Sequence, residues 1–212
     1  MAKKTIKPKR LMHIICEGAK TEPFYFSSYI DNFASEKAKV IEIPNCKKNT
    51  PVQLVDEAVS RKKSKETSSD DEFWVVYDRE AVAKYSNKLH AQAWSKALAN
   101  NINIAFSNIC FELWILQHFE LTTSPFTCCE ELLATSNLRA HLKRVGIHNY
   151  EKGNAQLFSK ISGGLGHARV RAARLNELVI RDAPVEHTNK PYMLNCYTNI
   201  YELLDAIDKF QP

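Results

Sequence analysis

LMHIICEGAKTEP, Leu11 to Pro23, passes from an apolar run to a tight turn and a helix start within thirteen residues. Leu11 to Cys16 has the length and apolarity of a buried strand, Gly18 supplies the turn, and Thr21 with Pro23 opens a helix reaching Phe33. Glu17 therefore stands at the carboxyl end of a strand, where open α/β sheets keep their chemistry. A second run, Phe73 to Tyr77, ends in Asp78-Arg79-Glu80. If these strands are adjacent and parallel, Glu17, Asp78 and Glu80 meet at one edge of the sheet. Acids so gathered repel one another and are relieved by hard divalent cations or a shared proton, the outline of a magnesium-dependent phosphoryl-transfer site.

Working outward, Val40 to Ile43 reads as a short strand, and Thr50 caps a helix from Pro51 to about Lys63 on which Val52, Val55 and Val59 recur at helical spacing. Ser64 to Glu72 is polar and reads as a loop. A helix from about Lys84 to Asn100, a strand from Ile102 to Phe106 and an apolar helix from Asn108 to Phe119, capped by Ser107 or Asn108, follow. Alternating strands and helices predict a parallel sheet covered on both faces. From Cys129 onward the pattern is helical, near Glu130 to Arg144, Asn154 to Ser162, Leu165 to Ile180 and Tyr197 to Phe210. The organisation expected is a basic flexible start over 1–10, an α/β core over 11–125 and a helical portion over 126–212 packed on that core.

Composition narrows the class. With 44% hydrophobic and 25% charged residues in 212, the chain reads as an ordinary globular protein. No apolar run approaches the roughly 20 residues that span a bilayer, and the apolar stretch after the basic start is too short for a signal peptide, which points to the cytoplasm and away from membranes. Six cysteines without a C-x-x-C pair fit reduced, mostly buried thiols better than a disulfide frame or a zinc site, and the neighbours Cys128 and Cys129 point in different directions at a helix start. The net charge of +5 is concentrated at Lys3, Lys4, Lys7, Lys9 and Arg10, at Arg61 to Lys65, and at Arg169, Arg171 and Arg174. Such clusters attract phosphate backbones and equally serve as solvated helix ends.

Three strings, IICEGAKTEPFYF, FWVVYDRE and SNICFELWILQHF, resemble in order and spacing the signatures of the RloB family. These bacterial proteins have a TOPRIM-like domain and are often encoded beside an ABC-type ATPase in phage-defence or restriction loci. The resemblance runs from about Leu11 to the C-terminal helix. It implies a TOPRIM-like core in which Glu17 serves as general acid or base or shares a metal, and in which Asp78 and Glu80 correspond to a metal-binding DxD pair. This chain has Asp-x-Glu, whose longer second arm favours binding through water or a preference for Mn2+ over Mg2+. Arg79 either points away from the pair, as strand alternation dictates, or neutralises it. The third string carries Ile109 where members often have proline.

Other positions are read from their own chemistry. Lys20, at the helix start, can hold a scissile phosphate or be an exposed lysine; G-A-K-T lacks the upstream glycine of a P-loop. Asn108 and Glu112, four apart, would share a helix face, and Glu112 in so apolar a helix needs a partner: it faces the acidic pocket as a fourth carboxylate, or it pairs with a buried arginine or caps nearby backbone. His167, Arg171 and Arg174 form a stripe that can take phosphate, an acidic partner or water. The leading expectation is a Mg2+- or Mn2+-dependent nuclease acting on DNA or RNA with an ABC-type ATPase partner. The alternative is a catalytically degenerate nucleic-acid-binding or adaptor subunit. Homo-oligomerisation is compatible with either.

Overall fold

The computed structural model describes residues 9–211, so Lys3, Lys4 and Lys7 of the basic start lie outside the described residues. Strand β1 (Met12–Cys16) is buried along its whole length. Met12, Ile14 and Cys16 face one layer of the core while Ile15 faces the other, because side chains alternate along a strand. β3 (Glu72–Asp78) behaves alike, with Trp74 and Val76 on one side and Phe73, Val75 and Tyr77 on the other. Burial on both faces is why these runs read as continuous apolar sequence.

The sheet has five strands in the order β2-β1-β3-β4-β5, with β2 at Ile41–Glu42, β4 at Asn103–Asn108 and β5 at Tyr197–Thr198. β1 lies beside β3 and parallel to it, Met12 opposite Glu72 through Cys16 opposite Val76, as the sequence predicts. β2 and β4 extend the parallel set, and β5 pairs antiparallel with β4. One face is covered by α2 (Pro51–Lys62), whose first turn is capped by the Thr50 hydroxyl, and by α3 (Asn87–Ala99), capped by Ser86. The other carries α1 (Thr21–Phe33) and α4 (Phe111–Gln117), then α5 (Cys129–Thr135), α6 (Leu138–Arg144), α7 (Leu157–Ile161), α8 (Leu165–Asp182) and α9 (Ile200–Lys209). No described helix is long and apolar enough to cross a membrane.

Three expectations change. The single helix from Glu130 to Arg144 is two, α5 and α6, broken at Ser136 and Asn137. The last helix begins at Ile200, because Tyr197 and Thr198 join the sheet: Thr198 Oγ1 lies 2.9 Å from Ser107 Oγ, and Asn176 bonds the Thr198 backbone on both sides. A two-residue strand has no periodicity to read. The apolar helix after β4 begins at Phe111, so Asn108 ends the strand and donates its Nδ2 to the Leu194 carbonyl at 2.7 Å. Asn108 and Glu112 thus do not share a helix face.

Candidate acidic site

The carboxyl ends of β1, β3 and β4 open into a cavity of about 350 Å³ lined by Glu17, Lys20, Glu22, Asp78, Glu80, Glu112 and Lys152. Glu17 follows β1 directly. Its Oε2 accepts from the Asp78 backbone N–H at 3.3 Å, and its Oε1 lies 3.5 Å from the Tyr85 hydroxyl, which donates to the Asn49 carbonyl. Burial is the main influence on it, assisted by the Glu80 charge, and raises its pKa to about 7 against the opposing pull of the Asp78 N–H. Asp78, buried at the end of β3, is pushed well above the ordinary carboxylate range by burial and then by Glu22, Glu112 and Glu17. Each of these acids is therefore held as a charge only at a cost.

Strand alternation separates Arg79 from its neighbours. Its guanidinium turns to the opposite side, donating to the carbonyls of Tyr192 at 3.0 Å and Tyr85 at 2.8 Å and to Asn87 Oδ1 at 2.6 Å. It ties the β3–α3 connection to the C-terminal portion and leaves the acids unneutralised. Glu80 faces the cavity because the backbone reverses there: its φ is +59°, a left-handed conformation that costs a glutamate about 1 kcal/mol or more. The Glu80 N–H donates to the Ile109 carbonyl at 2.9 Å, and its Oε1 meets Lys84 at 2.7 Å.

Two lining residues have no place in the expectations drawn from sequence. Glu22, the second acid of the opening string, is the second residue of α1 and is buried against Gly18, where a Cβ would stand 2.5 Å from its Oε2. Its pKa is raised by burial and by Glu112. The signal for it is position: an acid in the first turn of a helix that starts just after a strand end lies beside that end. Lys152 comes from the irregular segment before α7 and places its amine 3.8 Å from Glu112 Oε2. Despite the opposing effect of burial, the surrounding acids, Glu112 first, raise its pKa above the ordinary lysine value, so it remains cationic. No local pattern marks a lysine 130 residues away from Glu22.

The Lys152 segment is fixed by contacts with α1 and α4. The Gly153 N–H donates to Thr21 Oγ1 at 2.8 Å, and Tyr150 donates its hydroxyl to Glu112 Oε1 at 3.0 Å. Thr21 is thus spent on this segment, and Lys20 occupies the N-cap position of α1 instead. Gly153 adopts φ +88° beneath the Lys20 side chain, whose Cβ and Cδ a Gly153 Cβ would approach to 2.8 Å. Gly153→Ala should therefore destabilise the protein by about 1–2 kcal/mol and shift the Lys152 segment. Chemical denaturation measures the first effect; a variant as stable as the parent would show that this segment is not clamped.

The proposed nucleic-acid stripe lies apart from this cavity. Arg171 Nη1 donates to the Gln117 carbonyl at 2.9 Å, tying α8 to the end of α4, and Arg174 pairs with Glu177 at 3.0 Å. Neither lines the acidic cavity. Glu112 does, and finds its partners in Tyr150, Lys152 and the Cys129 thiol, whose Sγ lies 3.2 Å from its Oε2.

A family model described as RloB-like protein matches residues 12–207. No curated protein and no solved structure matches the chain.

Proposed function

From the premise that the chain belongs to the RloB-like family, we propose that it is a TOPRIM-like, divalent-metal-dependent nuclease that hydrolyses phosphodiester bonds of DNA or RNA. The observation that carries the reading is the convergence of Glu17, Glu22, Asp78, Glu80 and Glu112 on one cavity with Lys20 and Lys152 among its walls. The donors suit a hard cation: they are carboxylates, buried at Glu22 and Asp78 and half-buried at Glu17 and Glu80, and burial with mutual repulsion raises Glu17, Glu22 and Asp78 despite Lys84 and Lys152 nearby. Glu17, Asp78 and Glu80, joined by Glu22, would hold Mg2+ or Mn2+. When bound, the ion neutralises developing charge on the phosphate and orients the attacking water.

The chain's own groups supply the rest. Lys20 is exposed at the start of α1, whose free N–H groups already favour an anion, and it can bind the phosphate from the solvent side. Lys152, held by Glu112, can bind the same phosphate from the opposite segment. Glu17, partly buried and hydrogen-bonded by the Asp78 N–H, is placed to take or return a proton. The Glu80 arm, longer than that of an aspartate, is steered by Lys84. Family membership further suggests a role in bacterial anti-phage defence, in the cytoplasm and beside an ABC-type ATPase, with α8 and its Arg171 and Arg174 available to nucleic acid or to that partner.

The test is incubation of the full-length protein with single- and double-stranded DNA and RNA in Mg2+, Mn2+ or EDTA, with and without the ATPase encoded beside it. Cleavage that requires metal is expected. Binding without cleavage under every condition would overturn the nuclease reading in favour of an adaptor.

A further inference from the structure

Next to the acidic cavity lies a group of different chemistry. Cys110 joins β4 to α4, and Cys129 is the first residue of α5. Both are buried, and their sulfurs and a Glu112 carboxylate oxygen all lie within 4.8 Å of one another. We propose that Cys110, Cys129 and Glu112 form a site for a thiophilic divalent cation, zinc above all, separate from the carboxylate site for hard cations.

Three features support a built site. The Cys129 thiol donates to Glu112 Oε2 at 3.2 Å, and this pair would have to open only to roughly 3.6 Å to serve as two ligands of one tetrahedral zinc, where Zn–S is about 2.3 Å and Zn–O about 2.0–2.2 Å. Glu112 is oriented from behind: the Tyr150 hydroxyl takes Oε1 at 3.0 Å and leaves Oε2 turned toward the sulfur, as outer partners of metal-binding carboxylates do. Charge also balances. Two thiolates and a carboxylate carry three negative charges, a divalent ion leaves one, and the Lys152 amine, 3.8 Å from Glu112 Oε2, offsets it. Three protein ligands leave a fourth position, which water can enter from the cavity that Glu112 also lines.

Binding exchanges two thiol protons for the ion and changes no oxidation state. Two thiolates select zinc or cobalt over magnesium, so the two sites sort their ions by ligand softness. The two sulfurs come from positions 19 residues apart, so no C-x-x-C spacing marks the group in the sequence. Cys128 is not part of it; that side chain is half-buried and lines a different groove with Phe126 and Asn195.

The experiment titrates the reduced full-length protein with Co2+ in the presence of excess Mg2+. A near-ultraviolet thiolate-to-cobalt charge-transfer band, with the visible bands of tetrahedral cobalt, is expected, and zinc should abolish both. Cys129→Ser should lower affinity by about tenfold or more, whereas Asp78→Asn should keep the band, which separates this site from the carboxylate one. Should the cysteine variant misfold, X-ray absorption at the zinc edge of the unmodified protein decides. Two sulfur neighbours support the site; a shell of oxygen and nitrogen alone, or cobalt spectra without charge transfer, overturns it.

Discussion

Asp78→Ala is expected to lower metal-dependent cleavage by about 100-fold or more while leaving the protein folded. The magnitude follows from position. Partners one shell outside a metal's ligands are worth 10–100-fold, and Asp78 sits at the centre of the acidic group, influenced by Glu22, Glu112 and Glu17. Stability should move the other way. A carboxylate that is buried among like charges weakens the metal-free fold, so the variant should melt at or above the parent's temperature at pH 8 in EDTA. Adding Mg2+ or Mn2+ at about 100 times its Kd should stabilise the parent by about 2.7 kcal/mol, or roughly 5–10 °C for a chain of this size, and should leave the variant nearly unmoved. A variant that cleaves within about tenfold of the parent, or that still gains the full thermal shift, removes Asp78 from the metal-binding set.

That prediction rests on a sheet edge that is legible in the sequence. β1 and β3 are legible because they are buried on both faces, so their apolar runs are continuous and their ends are sharp. Glu17 and Asp78 follow from those ends. Glu80 was placed correctly at the cavity for an incomplete reason: period-two alternation puts it on the side of Asp78, yet the chain has left the strand and reaches that side through a left-handed turn. Lys152 was illegible, since nothing local links an irregular segment to the start of α1. The break between α5 and α6 was missed because Leu132, Leu138 and Leu142 keep enough apolar spacing to read through Ser136 and Asn137. Glu112 is legible as a buried charge that needs a partner in the acidic pocket, which it lines, while the hydrogen bonds that hold it, from Tyr150 and the Cys129 thiol, come from segments that no local pattern links to α4.

The same crowded acids make stability depend on pH in a direction opposite to that of most carboxylates. Glu17 has a folded pKa of about 7 against an ordinary value of 4.5, raised first by burial. A raised value means that folding favours the protonated form: the contribution is full below about 4.5 and is lost as pH climbs through about 7. The span corresponds to roughly 3 kcal/mol at most, and Asp78 and Glu22 add in the same direction. His90 and His118 act oppositely, because burial holds both near 4 instead of 6.5. Their contribution is present above about 6.5 and lost as pH falls toward 4. Above about pH 6.5, where the histidine contribution is complete, the metal-free protein should therefore keep losing stability up to pH 8, by about 1 kcal/mol from Glu17 with Asp78 and Glu22 adding in the same direction, measured by urea denaturation in EDTA. Glu17→Gln should flatten that alkaline limb without touching the acid one, and Mg2+ should flatten it in the parent by supplying the missing positive charge. A metal-free protein whose stability is constant or rises from pH 6.5 to 8 would mean that burial and neighbouring charge do not hold these carboxylates against ionisation, and the cavity would then lack the unmet negative charge that draws a divalent ion.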